Sequence, residues 1–219
     1  MYYKISINAQ RETLEDYFGV KFKFPKIYLP MPIINGMDES LIPLITLQEK
    51  DKISSAIWGL LPEDYNDDWQ EFQEYSNTLN IHKDLIATLP MFKDSFENRR
   101  GVVIVTGFFA HHFKDGSIEL YYIRLASKKP FLLAAIYNKL DDGFITCSLI
   151  VTNATSYMKQ IDNINFLMPL VIDLDKKKEW LNKETSKADI YKMLNHKTTA
   201  NFVAYPISKK LYKSNIILE

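Results

Sequence analysis

Four histidines and one cysteine are the side chains of this chain best suited to nucleophilic, acid–base or metal chemistry. His82, His111, His112 and His196 include no pair at helical ligand spacing, and Cys147 has no second cysteine. A zinc centre is therefore not expected, nor any other metal or cofactor. On a strand, His111 and His112 would point to opposite faces, so only one of them could enter a given site. Cys147 lies in the apolar run 144–151, where burial raises a thiol's pKa and leaves it inert. It reads as a small buried hydrophobe. The seven glycines are scattered singly, so no phosphate-cradling loop is present. The charge run Asp175, Lys176, Lys177, Lys178 and Lys183 reads as a solvated helix face, with contact to nucleic-acid phosphates as the alternative.

The elements that must position these groups can be read from patterning. Residues 2–8 partly alternate, with Lys4, Ser6 and Asn8 against Tyr3, Ile5 and Ile7, and predict a strand. Residues 11–18 predict a short helix. Pro25, Pro30, Pro32 and Pro43, with Asn35-Gly36 as a turn signal, make 22–43 mostly extended or looped. A strand pair is expected at 42–48 and 52–60. A helix is expected within 66–75, capped by Asn66 or Asp67, and another at 91–98. The densest strand region follows at 101–109, 118–124, 131–137 and 144–151. Turns at Lys114-Asp115-Gly116 and Asp141-Asp142-Gly143 link hairpins within it. The last quarter predicts helices near 154–160, 176–181 and 187–194, with strands at 170–172 and 202–207.

Composition bounds the function classes. A chain of 219 residues with 47% hydrophobic and 25% charged residues suits one globular α+β domain. Abundant Tyr and Phe with few Gly favour a β-rich body. Lys and Arg number 27, as do Asp and Glu, so no global field attracts a polyanion; nucleic acid would have to meet a local basic patch. Lys4, Arg11 and Glu12 interrupt any apolar leader, and no run reaches the length of a membrane span. A single cysteine fits a reducing compartment. The expectation is a cytoplasmic protein with no membrane partner, monomeric by default.

Several local strings are more informative in their order than singly. Ile57-Trp58-Gly59-Leu60 is followed by Pro62, then Leu79-Asn80 and Met91-Phe92. Thr106-Gly107-Phe108-Phe109, Ala134-Ala135-Ile136-Tyr137 and Ile150-Val151-Thr152-Asn153-Ala154 come next. Leu167-Met168-Pro169-Leu170 precedes Glu179-Trp180-Leu181, and Tyr205-Pro206-Ile207-Ser208 closes the series. This ordered set resembles the SOS response-associated peptidase family, abasic-site processing proteins that act on single-stranded DNA. The resemblance runs from Met1 to about Ser208 and implies one domain over 1–219, with an antiparallel, barrel-like β core flanked by short helices.

It also implies a chemistry. In that family a cysteine after the initiator methionine captures the ring-opened abasic aldehyde as a thiazolidine through its amine and thiol. A glutamate after a Gly-aromatic-aromatic string and a histidine three residues before the Met of a Met-Pro pair handle protons. An Asn-Ala-Arg string and a threonine position the DNA. Here Tyr2 stands at the cysteine position, and Ala110 at that of the glutamate. Counted back from Met168-Pro169, Asn165 stands at that of the histidine, or Asp162 if a gap is allowed. Leu167 replaces an arginine. Asn80 and Thr152 are kept, His82 replaces the arginine of the Asn-Ala-Arg string, and Lys4 keeps a positive charge.

No catalytic residue of the family reaction is therefore expected, because nucleophile, carboxylate and imidazole are all replaced. The leading expectation is a member that binds single-stranded or abasic DNA through Lys4, Asn80, His82 and Thr152 without cross-linking it. Two alternatives stand beside it. One is reversible Schiff-base chemistry at the Met1 amine, with His112 moving protons from the strand face it shares with Ala110. The other is an interaction module whose vestigial cleft gathers His82, Asp162 and His111 or His112 into a new polar cluster.

Overall fold

The structure, a computed structural model, describes residues 3–207. Tyr2, Met1 and Ser208 lie outside the described residues. The chain opens with β1 (Lys4–Ile7), α1 (Arg11–Phe18), β2 (Lys21–Phe22), β3 (Met31–Asn35), β4 (Leu41–Thr46) and β5 (Lys52–Trp58). Next come α2 (Trp69–Tyr75), β6 (Asn80–His82), α3 (Pro90–Asn98), β7 (Arg100–Val105), β8 (Gly107–Lys114) and β9 (Ser117–Leu125). The remainder is β10 (Phe131–Lys139), β11 (Ile145–Asn153), α4 (Ser156–Ile161), β12 (Leu167–Pro169), β13 (Val171–Ile172), α5 (Lys177–Trp180), α6 (Lys187–Met193) and β14 (Phe202–Ile207).

The expected α+β class and barrel-like core are both present. Strands β5, β4, β7, β10 and β11 pair in succession, each antiparallel to the last, and β11 returns to β5 to close a ring. That closing pair is parallel, Thr146 opposite Ile57 and Cys147 opposite Trp58. Local hairpin signals cannot foretell such a pairing, because a parallel pair joins segments far apart in sequence. A second sheet in the order β14-β9-β8-β1-β3 lies outside the ring.

The apolar run predicted as one strand over 101–109 is two. It breaks at Thr106, where the chain leaves the ring and enters the second sheet. Partners rather than patterning mark the crossing: the Thr106 N–H donates to the Ser6 carbonyl at 2.7 Å, and its hydroxyl accepts the Asn8 N–H at 2.9 Å. Both β7 and the first half of β8 are buried, so hydrophobicity is continuous across the junction.

Central strands β7 and β10 are apolar and buried on both faces over nearly their whole length, because α3 packs against both and α5 against β7. Helix starts follow capping chemistry. Asp68, not Asn66 or Asp67, caps α2, its carboxylate accepting the Glu71 N–H at 2.9 Å. The β8–β9 hairpin turns on Asp115 and Gly116, both at positive φ (49° and 74°), a backbone that Asp-Gly adopts at low cost. Gly107 is required by proximity, since a Cβ there would lie 2.3 Å from the ring of Tyr122.

Candidate nucleic-acid interface

Asn80 and His82 are held by β6, a three-residue strand that patterning missed because it is too short to show a period. Its anchors lie just upstream. The Thr78 hydroxyl donates to the Leu60 carbonyl at 2.6 Å, and the Thr78 N–H donates to Gln73 Oε1 at 2.9 Å. The Leu79 carbonyl accepts both Trp58 Nε1 at 2.8 Å and the Leu149 N–H at 3.0 Å. These bonds set β6 parallel to β11, with Asn80 opposite Leu149 and His82 opposite Val151. Thr152 lies one residue further along β11, opposite Met168 of β12, another missed strand of three residues. Strand alternation turns Thr152 to the face opposite Asn80 and His82. Asn80, His82 and Thr152 thus share one end of the sheet without sharing one face.

Lys4 belongs to the other sheet, on β1 between β3 and β8. Continuing the β1–β8 register of Ile5 opposite Phe108 puts Lys4 beside Phe109, on the face that also carries His111. His111 is half-buried, and its pKa lies below the ordinary histidine range: burial lowers it first, the nearby Lys4 charge lowers it further, and the Asp162 carboxylate opposes both. Lys4, His111 and Asp162 therefore form one electrostatic group, drawn from β1, β8 and the turn after α4. Patterning could not assemble it, because the three come from segments about 50 to 150 residues apart with no shared motif.

The turn after α4 settles how Asp162 and Asn165 relate. Asp162 is buried (1% exposed), and its Oδ1 accepts the N–H groups of Ile164 at 3.2 Å and Asn165 at 3.0 Å. The Asn165 amide lies 3.4 Å from both carboxylate oxygens. Both residues compared with the family histidine thus sit in one self-bonded turn. His112 docks against that turn, with Nδ1 3.0 Å from the Ile161 carbonyl and its ring edge-on to Tyr121.

One expected grouping is not formed. His82 is not joined to Asp162 in a polar cluster; its Nδ1 accepts the Asp84 N–H at 3.3 Å and caps the short helical turn that follows. His112 is tied at Nδ1 to the Ile161 carbonyl, the residue next to Asp162, whereas His111 feels the charges of Lys4 and Asp162 from the other face of β8. Ala110 is buried at 1% exposure within the apolar core. Cys147 is fully buried, and burial pushes its thiol far above the ordinary range. The predicted solvated lysine face is partly docked, since the half-buried Lys177 donates to the Phe18 carbonyl at 3.4 Å. His196 lies in another region, with Nε2 3.0 Å from Asp173 Oδ2. Among the described residues no three His, Cys, Asp or Glu side chains gather as metal ligands, and no helix is long and apolar enough to cross a membrane.

A closed ring of strands, an outer sheet begun by the N-terminal strand and a self-bonded turn before a Met-Pro pair define a recognisable class. The sequence model of the SOS response associated peptidase (SRAP) family matches residues 1–214, and the chain belongs to that family. It is 24% identical over 197 residues to the abasic site processing protein YoaM of Bacillus subtilis (strain 168), covering 87% of this chain and 83% of YoaM. To the abasic site processing protein YoqW of the same strain it is 21% identical over 177 residues, covering 78% of this chain and 75% of YoqW. A crystal structure of a protein from Bacteroides thetaiotaomicron superposes with a TM-score of 0.86 at 26% identity, over 97% of this chain and 94% of that one. A Bordetella bronchiseptica protein shares the fold at a TM-score of 0.76 and 13% identity, over 94% of this chain and 99% of that one.

Proposed function

We propose that this chain is a cytoplasmic SRAP-family protein that binds single-stranded DNA, including abasic DNA, without forming a permanent bond to it. The observation that carries this reading is Ala110. Where the family resemblance places a proton-handling carboxylate, β8 presents a methyl group closed into apolar core at 1% exposure. The turn before Met168-Pro169 likewise offers the Asp162 carboxylate and the Asn165 amide in place of an imidazole. Basic and polar groups remain on the elements around them: Lys4 on β1, Asn80 and His82 on β6, and Thr152 on β11. Such groups contact phosphates and base edges, and binding carried by a few phosphate contacts weakens steeply with salt.

The test is fluorescence anisotropy with intact and abasic single-stranded oligonucleotides at two salt concentrations, followed by heat and denaturant. Salt-sensitive binding that leaves no heat-stable adduct is the expected result. Absence of binding at micromolar protein removes the DNA reading, and a surviving adduct removes the claim of reversibility.

One observation favours a second reading, reversible imine chemistry at the Met1 amine. His111 is half-buried, and burial, followed by the Lys4 charge, holds its pKa below the ordinary range, which favours the proton-accepting form of the ring. Borohydride would trap that imine as a stable amine. A blank lane beside a cysteine-bearing relative rejects it.

A further inference from the structure

The outer sheet carries a second basic feature, remote from Asn80 and Thr152. Between β9, β14 and the segment after β1 lies a cavity of about 560 Å³, lined by Asn8, Thr13, Thr106, Tyr122, Arg124 and Lys128 among others. No Asp or Glu is among its described lining residues. Neither Arg124 nor Lys128 takes part in an ion pair among the described residues. A chain with as many acids as bases has placed two cations at a hollow whose described lining carries no acid.

The guanidinium is fixed before any ligand arrives. Arg124 Nη1 donates to the Leu125 carbonyl at 2.9 Å and Nη2 to the Tyr205 hydroxyl at 3.0 Å, with the guanidinium carbon 5.0 Å from the Tyr205 ring centroid. These bonds hold the planar fork while leaving N–H donors over, the arrangement that suits phosphate oxygens. Tyr122 forms another part of the wall, its ring lying across Gly107 and its hydroxyl donating to the Thr106 carbonyl at 3.2 Å. Lys128 is exposed and sits at a positive φ of 59°, a backbone that non-glycine residues rarely adopt. Its N–H donates to the Leu125 carbonyl at 3.0 Å, which keeps this turn beside Arg124.

Register relates the cavity to Lys4. Phe109 pairs with Tyr122, and Arg124 stands two residues further along β9, so Lys4, Phe109, Tyr122 and Arg124 share one face. Two strand spacings across and two residues along separate the backbones of Lys4 and Arg124 by roughly 12 Å.

We propose that Arg124 and Lys128 form a phosphodiester-binding site that holds a second stretch of the same single strand contacted at Lys4. The inference rests on the DNA-binding reading above. The ligand chemistry is a phosphate ester, and its source is the DNA backbone rather than a free phosphate compound.

The experiment compares wild type, Lys4→Gln and the double variant Arg124→Gln/Lys128→Gln on 2-nucleotide and 12-nucleotide oligo-dT across a salt series, with inorganic phosphate titrated separately. Thermal melts confirm that the variants fold, and Arg124→Lys with Lys128 intact serves as the conservative control. Lys4→Gln should weaken both oligonucleotides. The double variant should weaken only the longer one, with its salt slope reduced by about 0.7 for each phosphate that is no longer neutralised; Arg124→Lys should keep part of the affinity. If wild type binds DNA and the double variant matches it in affinity and slope, the inference fails and the DNA reading stands. An effect confined to inorganic phosphate overturns the placement on the DNA path. If wild type binds no single strand, both fail together.

Discussion

The side-chain amide of Asn163 grips the backbone of Phe113 as an added strand would. Its Oδ1 accepts the Phe113 N–H at 2.7 Å, and its Nδ2 donates to the Phe113 carbonyl at 2.9 Å. The turn that contains Asp162 and Asn165 is thereby fastened to the end of β8, two residues beyond His111. Asn163→Ala should cost about 1–2 kcal/mol of stability by removing both bonds. Urea denaturation measures the cost, and faster hydrogen exchange at 162–165 than in β10 shows where it falls. An unchanged midpoint and unchanged exchange would mean the clamp contributes nothing.

His111 makes stability depend on pH in a definite direction. Its folded pKa is lowered, chiefly by burial and then by Lys4, so the unfolded chain binds the proton more readily. Its contribution is full above the unfolded value of about 6.5 and is lost as pH falls through that value towards the folded one. His111→Gln should flatten the stability profile below pH 6.5 and leave it unchanged at pH 8. Denaturation midpoints across that range, with an NMR titration of the imidazole, check both parts.

Arg100 is buried at 1% exposure and is answered by carbonyls instead of a carboxylate. It donates to Phe96, Glu97, Trp180 and Asn182 at 2.9–3.1 Å, while Trp180 Nε1 returns a bond to the Gly101 carbonyl at 2.9 Å. Burial draws the guanidinium down to about 10, which still leaves it charged at neutral pH. The ends of α3 and α5 are thus closed by one side chain, where cations are favoured. Arg100→Met keeps much of the volume and should still cost about 3 kcal/mol, because four carbonyls lose a charged donor. Arg100→Lys should restore only part of that, as an ammonium cannot reproduce the planar fork.

Cys147 should behave as a core residue. It is fully buried on β11 where β5 closes the ring, and burial pushes its thiol well above the ordinary range. A thiol reagent at pH 8 should label it only as fast as the protein unfolds, so the rate should rise with urea. Rapid labelling of the native protein would show that the ring opens at the β5–β11 seam.

Much of the architecture was legible along the chain because it is encoded locally. The α1 boundaries, the β8–β9 and β10–β11 hairpins and the β4–β5 pair follow from periodicity and from turn residues that supply positive φ. The cap of α2 was missed by one or two residues because Asn66, Asp67 and Asp68 are all competent caps, and only the side chain aimed at Glu71 distinguishes them. The break at Thr106 was invisible because apolar residues continue through it, and the decision belongs to Ser6 and Asn8, about a hundred residues away.

For the site, the residue substitutions were readable and the groupings were not. Tyr2, Ala110 and Asn165 could be placed against the family's pattern by counting from neighbouring strings. That His82 turns to Asp84, that His112 docks on Ile161 and that His111 comes within the field of Lys4 and Asp162 depended on tertiary structure. The amino-acid order alone therefore determined which chemical groups this protein owns and which are replaced, because identity and short-range spacing are local properties. Which of them meet, and in what protonation state, was decided only by folding. Distance, burial and the charge of a neighbour arise when segments remote in sequence are packed against one another.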